Sequence, residues 1–428
     1  MMNPKNWGRR QQKITLYSLL RDALIARIPF PLPRLFRKAL YGKTPNFIFM
    51  LHPRTKADIY SVFPFLHRIV RWIPERWVMR GLAALGAASV YAIDWPARNV
   101  RGLVVSTLHL PQEFFGRREK TMKIASSNFR LFHRMGVKDG VVALAGWWPA
   151  ATNLGRSLVP LLQPADRMTI TTGHTGTLFS LERTTLAVLN AIGVPPASAR
   201  VAILGVGNMG SAFAKTVNGT FRQIGLFDRN DRKTDILARK LQAHPTASDI
   251  FVYHPAADRD PNDREIADFL AQYDVAVCTT MNTRHIIHDV RSVRNCIIID
   301  DSRPEAFPRV YEPAQGLVVL EGGLIRLPGA QLEHDNGWGP NSDSVFGCMA
   351  EGAILSAIPR NTVNPTIGDI DPVNYRKLCD ACDELGVTEG EFYCGNLWID
   401  PEELRAMAAA SRHRRSATPT PQECLATV

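Results

Sequence analysis

The chain alternates short, continuous apolar runs with stretches whose apolar positions recur every three or four residues, the pattern of buried strands joined by helices. In its first part, Phe47-Ile48-Phe49-Met50-Leu51 predicts a strand, Thr55 to Val70 a helix, and Val100-Arg101-Gly102-Leu103-Val104-Val105-Ser106-Thr107 another strand. Between them Gly81 to Ile93 is apolar and bounded by Arg80 and Asp94; at about 13 residues it is too short to cross a bilayer and predicts a buried helix. Residues 117 to 136 read as a basic helix closed by Gly136, and Val141 to Leu144 as an apolar run ending in a turn at Gly146. A polar stretch, Thr171-Thr172-Gly173-His174-Thr175-Gly176-Thr177, then leads into a helix from about Leu178 to Ile192, closed by Gly193 and Pro195-Pro196. At a helix start this loop offers hydroxyls and backbone N–H groups, so Thr171, Thr172, Gly173 and Thr175 are candidate substrate contacts; an ordinary threonine N-cap is the alternative.

The second part is organised around Arg200-Val201-Ala202-Ile203-Leu204-Gly205-Val206-Gly207-Asn208-Met209-Gly210. Val201 to Leu204 is strand-like, and Gly205, Gly207 and Gly210 follow with the spacing GxGxxG before Ser211-Ala212-Phe213-Ala214-Lys215, which reads as a helix. In such a unit the first glycine permits the sharp turn, the second lets backbone approach a pyrophosphate, and the third lets helix and strand pack closely. A second apolar run, Gln223 to Phe227, ends in Asp228, about 20 residues further on, where an acidic group meets a ribose hydroxyl. Three more runs, through Val277, Ile298 and Val319, empty into polar turns. In a doubly wound sheet the ligand lies outside the carboxyl ends of the strands. Thr279, Thr280, Met281, Asp300 and Gly322 therefore join Gly205, Val206, Gly207, Asn208, Met209, Gly210, Asp228 and Arg229 as candidate cofactor contacts. Asp228 suits the free ribose of NAD, whereas Arg229, Arg232 and Lys233 suit the extra phosphate of NADP.

Further on, Ser342-Asp343-Ser344 offers N-caps for a helix to about Ile358 that carries Val345, Cys348, Met349 and Gly352 on one face. Cys348 is then either core packing, the usual state of a free cysteine, or a thiolate favoured by the helix N-terminus and able to act as a nucleophile. A helix at about 373 to 385 follows, and the polar tail from 408 to 428 is expected to be disordered. The expected fold is α/β: a basic amphipathic extension (1–45), a mixed α/β substrate domain (46–192), a Rossmann-type doubly wound dinucleotide-binding domain (193–330), and a C-terminal helical segment carrying Cys348 (331–407) before the tail.

Composition narrows the partners more than the fold. The net charge of +11 suits an acidic carrier protein or an anionic membrane surface; the basic residues are not interleaved with aromatics as in a nucleic-acid module. Residues 1 to about 40 mix Arg9, Arg10, Lys13 and Arg21 with Ile14, Leu16, Leu19 and Leu20, a pattern that can lie on a bilayer or form a surface helix before the loop at Pro29, Pro31 and Pro33. No apolar run reaches a membrane span and no signal peptide is evident, which points to the cytoplasm. Seven cysteines at irregular spacings read as reduced thiols; Cys379 and Cys382 form a CxxC with Cys394 beyond, but a fourth ligand at metal spacing is missing, so helix packing is expected rather than zinc.

With these residues in place the chain resembles the aldehyde-forming long-chain acyl-(acyl-carrier-protein) reductases. The similarity runs from about residue 46 to 395, through the strand near Phe49, Ala143-Leu144-Ala145-Gly146, Thr171-Thr172-Gly173, the Gly205 to Ser211 turn, Ile299-Asp300, Leu320-Glu321-Gly322-Gly323 and Phe346-Gly347-Cys348-Met349-Ala350-Glu351. The resemblance implies that Cys348 is the acylated nucleophile, that NADPH is the reductant with NAD(H) as the alternative, and that a fatty acyl thioester of acyl carrier protein or coenzyme A becomes an aldehyde. His174 is then a candidate proton donor or carbonyl ligand, although it stands where the family has Asn, and Gly176 stands where the family has His. Arg117, Arg118, Lys120 and Lys123 would dock an acidic carrier. Residues 1 to 45 have no counterpart in the family. Two other readings fit the residues: an NAD(P)-dependent dehydrogenase of a small hydroxy or keto acid with Cys348 as filler, and a membrane-associated protein that senses nicotinamide without catalysis.

Overall fold

A computed structural model describes residues 16–26, 44–162, 167–254, 262–281, 285–332 and 343–417. They belong to two compact units, Met1–Phe179 with Ile325–Thr388 and Ser180–Leu324 with Glu389–Val428.

The first unit contains strands β1 (Phe47–Leu51), β2 (Ala87–Trp95), β3 (Val100–Thr107), β4 (Asp139–Leu144) and β5 (Arg167–Thr171). A short edge strand, Gln331–Leu332, completes the order edge-β2-β3-β1-β4-β5. The run β3, β1, β4, β5 is parallel, β2 runs antiparallel to β3, and the edge strand runs antiparallel to β2. Central β1 sets Phe47 opposite Gly102 on one side and Val141 on the other. Because it is covered on both faces, Phe47 to Met50 are all buried, which is why the strand reads as a continuous apolar run. Side chains alternate across it. Ile48 and Met50 join Val142 and Leu144 in a core with Phe129 and Phe132 of the helix Arg118–Met135. On the other face lies Gly347–Ala357: a Cβ on Gly352 would sit 2.3 Å from Phe47 and 2.8 Å from Ala143 Cβ.

Several expectations need correction. The apolar run Gly81 to Ile93 is not one buried helix. Glu75–Leu85 is helical, Gly86 turns the chain at φ +96°, and β2 begins at Ala87, where Val90 and Tyr91 favour an extended strand. The helix expected from Thr55 to Val70 is two, Lys56–Val62 and Leu66–Ile69, interrupted at Pro64. Within the basic extension, Leu16–Ile25 is a helix packed on this unit: Leu19, Ala23 and Ile25 are buried, and the buried Asp22 carboxylate accepts the Ser89 N–H at 2.6 Å. The rest of the proposed amphipathic segment lies outside the described residues. Ser344–Phe346 is a strand rather than a run of N-caps, and the helix starts at Gly347. Residues 331–407 do not form one segment, since Ile325–Thr388 belongs to the first unit and Glu389 onward to the second. Residues 408–417, expected to be disordered, continue the helix Pro401–Ala417.

The second unit is a doubly wound sheet of β6 (Arg200–Leu204), β7 (Gln223–Phe227), β8 (Asp249–Val252), β9 (Val275–Cys278), β10 (Cys296–Asp300), β11 (Tyr311–Glu312) and β12 (Leu317–Glu321). Their order is β11-β12-β10-β9-β6-β7-β8, parallel throughout except for β11. Numbering only the parallel strands, the order is 3-2-1-4-5-6 from the β8 edge, which is the Rossmann arrangement. The fold is thus α/β in both units. Among the described residues no helix is long and apolar enough to cross a membrane.

Candidate functional site

In the second unit the winding direction reverses between β6 and β9, and a sheet of this order leaves its ligand crevice there, at the carboxyl edge. The turn after β6 fits the role read from its glycines. Gly205 has φ +89°, in the left-handed region that favours glycine. A Cβ on Gly210 would lie 1.9 Å from the Gly205 carbonyl oxygen and 2.8 Å from Thr279 Oγ1, so helix and turn could not keep their approach. Gly207 has nothing within 4 Å of its missing Cβ, which leaves backbone open to an incoming group. The helix Asn208–Val217 starts there without a side-chain cap, with Asn208 exposed and Met209 half-buried, so its N-terminus is available to an anion.

Neighbouring strands brace this turn. Asp228, at the end of β7, accepts the Val206 N–H at 2.8 Å and the Asn230 N–H at 2.9 Å, and Arg229 beside it is exposed. From β9, Thr279 donates its N–H to the Leu204 carbonyl at 2.9 Å and its hydroxyl to the Gly205 carbonyl at 3.0 Å. The Thr280 N–H is held by Ser302 Oγ at 3.0 Å, and Met281 is exposed. Gly322 lies against the backbone of Asp301, where a Cβ would come within 2.6 Å of the amide nitrogen. An open glycine, an uncapped helix start and an acid at the second strand's end together fit a dinucleotide.

Asp300 is a correction. It sits at the end of β10 as expected, but its carboxylate is turned into the following loop. There it accepts the N–H groups of Ser302, Ala306 and Phe307 and pairs with Arg309 at 2.8 Å. Arg309 in turn reaches Glu321 at 2.6 Å, so Asp300 holds the loop rather than facing a ligand. The residue missed beside it is Asp301. Its half-buried carboxyl lies against Gly323, and burial, helped by the charges of Asp300 and Glu321 and opposed by Arg303 and Arg309, pushes its pKa up to about 7. Only the doubled acid at a strand end could have marked it.

In the first unit, the helix Gly347–Ala357 runs against the strands: Ser356 near its end donates to the Asn46 carbonyl just before β1, while its start lies by the carboxyl end of β5. Cys348 is its second residue, half-buried, with no side chain capping the helix. Gly173 is pressed against it: a Cβ there would lie 2.5 Å from both Cα and Cβ of Cys348. Gly176 and Gly347 are as close, since a Cβ on Gly176 would come 2.2 Å from the Gly347 carbonyl oxygen. The helix after β5 begins at His174, not Leu178, so His174 to Thr177 of what reads as a loop form its first turn. Two helix starts thus meet at the carboxyl edge of this sheet, in contact through glycines.

The threonine hydroxyls are not offered to a ligand, contrary to expectation. Thr171, Thr172 and Thr175 are buried. The Thr171 hydroxyl donates to Glu351, and its oxygen accepts the Thr366 N–H at 3.0 Å. Thr175 pairs with the Thr366 hydroxyl, and Thr172 Oγ1 accepts the His174 N–H at 3.4 Å. The centre of this network is Glu351, one turn beyond Cys348, whose other oxygen accepts the Gly176 N–H at 2.8 Å. Burial raises its pKa, while the donors around it act the other way. A carboxylate inside an otherwise apolar helix was the signal available for it in the sequence. His174 keeps some exposure, its ring makes no hydrogen bond to a described residue, and burial lowers its pKa to about 4. Cys348 also differs from Cys278, Cys296, Cys382 and Cys394, which are buried; the Cys278 thiol is pushed up to about 12 by burial and is inert at neutral pH.

No protein-family model and no curated protein matches the sequence. Among solved structures the chain is similar to L-tryptophan dehydrogenase from Nostoc punctiforme, at 11% identity over 88% of this chain and 92% of that one, with a TM-score of 0.38. It is similar to shikimate 5-dehydrogenase from Listeria monocytogenes, solved with shikimate and NAD, at 11% identity over 65% of this chain and 86% of that one, with a TM-score of 0.29. The alignment with the dipicolinate synthase A chain from Bacillus subtilis covers 58% of this chain and 65% of that one, just under two thirds of its length, at 12% identity and a TM-score of 0.30. Likenesses this loose carry no functional weight, and the doubly wound assignment rests on the strand order itself.

Proposed function

We propose that the protein is a nicotinamide-dependent oxidoreductase that reduces a fatty acyl thioester to an aldehyde through an acyl-Cys348 intermediate, as in the acyl-(acyl-carrier-protein) reductases its sequence resembles. The observation that carries this reading is Cys348 itself, a half-buried thiol at the second position of an uncapped helix start. That setting favours a thiolate and holds backbone N–H groups near a developing oxyanion. The Cys348 thiolate attacks the thioester carbonyl; a new carbon–sulfur bond forms, the old one breaks, and the carrier thiol leaves with the proton that Cys348 lost. One thioester replaces another, so the step needs positioning more than driving force.

The residues at the Gly205 to Gly210 turn fit a nicotinamide dinucleotide, whose contribution when bound would be hydride. Asp228 already accepts two backbone N–H groups, which leaves it less free for a ribose hydroxyl, while Arg229, Arg232 and Lys233 beside it are exposed. These features support NADPH over NADH. His174, neutral at pH 7, can donate a ring N–H to the acyl oxygen but cannot act as a charged acid. Exposed Arg117, Arg118 and Lys123 around the start of Arg118–Met135 support an acidic acyl carrier as the donor, with coenzyme A the alternative.

Mass spectrometry after incubation with acyl thioesters, without nicotinamide, should find an acyl group on the peptide containing Cys348, and Cys348→Ala should abolish both adduct and turnover. An enzyme that keeps its turnover as Cys348→Ala is instead a dehydrogenase using the thiol as filler. Nucleotide binding without NADPH consumption in the presence of thioesters would leave only a sensor.

A further inference from the structure

In the first unit, the segment between the helices Leu66–Ile69 and Glu75–Leu85, with the first turn of the latter, presents apolar side chains outward. Trp72 is 88% exposed, Trp77 54% and Ile73 46%. None of the three belongs to the buried cluster of this region, which Phe63 and Leu66 form with Leu19, Ile59, Leu82 and Leu108. Around them stand exposed Arg68, Arg71, Arg76 and Arg80. Arg76 and Arg80 lie 6.0 and 5.3 Å from the centre of the Trp77 ring, and none of the four forms an ion pair with a described residue. The acid of the segment, Glu75, is already taken by Lys56 at 2.6 Å and by the Tyr60 hydroxyl at 2.9 Å. A second exposed apolar pair, Leu20 and Leu24, lies one turn apart on Leu16–Ile25, a helix in contact with Glu75–Leu85.

We propose that this face seats the protein on an anionic lipid surface, with Trp72, Ile73 and Trp77 entering the interfacial layer and the four arginines meeting headgroup phosphates. Indole suits that layer because its body is apolar while its N–H can stay among polar headgroups. Guanidinium groups without carboxylate partners are free to bind phosphate through two parallel hydrogen bonds. The apolar groups protrude rather than line a groove, which suits a soft, penetrable partner. A second copy of this chain fits less well, since a two-fold contact would bring the same arginines face to face. The inference stands apart from the reaction proposed above.

The test uses the full chain and vesicles of phosphatidylcholine with and without phosphatidylglycerol. The expected result is co-sedimentation with the anionic vesicles alone, weakening as salt is raised. Trp72→Ala with Trp77→Ala should weaken binding about ten-fold or more, and Arg76→Gln with Arg80→Gln by roughly five-fold per arginine. Unchanged binding in both double variants would assign the lipid contact to another part of the chain and overturn the proposal. So would equal binding to both kinds of vesicle, or lipid-free self-association that the tryptophan pair abolishes. A result in which the tryptophan pair is needed to bind an acidic protein but not vesicles would overturn it as well. Should a variant unfold, brominated lipid chains decide on the unaltered protein: they should quench its tryptophan fluorescence in anionic vesicles, and no quenching sinks the idea.

Discussion

Asp301 illustrates what a single side chain contributes at the carboxyl edge of the second sheet. Its neighbour Asp300 has both carboxylate oxygens engaged by the loop and by Arg309, so that acid is structural. Asp301 has the burial without those donors, and its pKa rises from the ordinary aspartate range to about 7. The sign of its effect follows. Between about pH 4 and pH 7 the folded chain keeps this proton and the unfolded chain has lost it, so the group's contribution is full at low pH and fades as pH rises through that window. Asp301→Asn carries no such titration. Relative to the parent, this variant should therefore gain about 1 to 2 kcal/mol between pH 4.5 and 7.5, the full linkage being reduced because water reaches part of the carboxyl. Urea unfolding at the two pH values measures it; a difference that does not change with pH means Asp301 ionises normally. The two acids are adjacent in sequence and identical in type, so only the loop folded over one of them separates their roles.

At the scale of elements, the feature that sets Cys348 in place is the contact between two helix starts. Gly173, Gly176 and Gly347 allow it, since each missing Cβ would fall on backbone, which cannot move aside as a flexible side chain can. Gly176→Ala should destabilise the first unit by roughly 1 to 3 kcal/mol and, by forcing the Cys348 helix away, slow acylation out of proportion to the loss of stability. Gly81→Ala is the control. That residue lies inside the helix Glu75–Leu85 with nothing within 4 Å of its missing Cβ, so the change should be neutral or stabilising by up to about 1 kcal/mol. Thermal unfolding and the rate of adduct formation distinguish the two. The glycines after β6 were legible in the sequence because strand, turn and helix follow one another within a few residues. Gly176 and Gly347 were not, because the reason for each is the other, 171 positions away in the chain. The same limit explains Thr171 and Thr175: their residue type suggested ligand contacts, but their hydroxyls are committed to Glu351 and Thr366, which only folding brings near. The run from Gly81 to Ile93 was misread for a local reason, since periodicity alone does not separate a short helix and strand fused at Gly86 from one buried helix.

For the whole molecule, the order of elements along the chain is a poor guide to which unit owns them. After the second sheet is finished, the chain contributes Ile325–Thr388 to the first unit and returns at Glu389 to the second. Both sheets are mainly parallel and need cover on both faces, so each unit depends on a late segment that local pattern could not assign. The dependence differs between the two and can be separated by one truncation. A chain ending at Thr388 retains Gly347–Ala357 with Cys348 but lacks Tyr393, Ile399 and Leu404, all fully buried in the second unit. It also loses the hydrogen bond from Arg405 to the Ala191 carbonyl at 3.1 Å. Removing three buried side chains costs about as much as one domain's whole margin of about 5 to 15 kcal/mol, since each contributes roughly 2 to 5. The shortened chain should therefore lose nucleotide binding and its second-unit unfolding transition while still accepting an acyl group on Cys348. Calorimetry with adduct mass spectrometry reads both halves of that outcome. If acylation vanishes together with the second transition, the first unit does not hold its thiol site unaided. Unchanged nucleotide binding would mean that the carboxyl-terminal pieces are dispensable trim on the sheet.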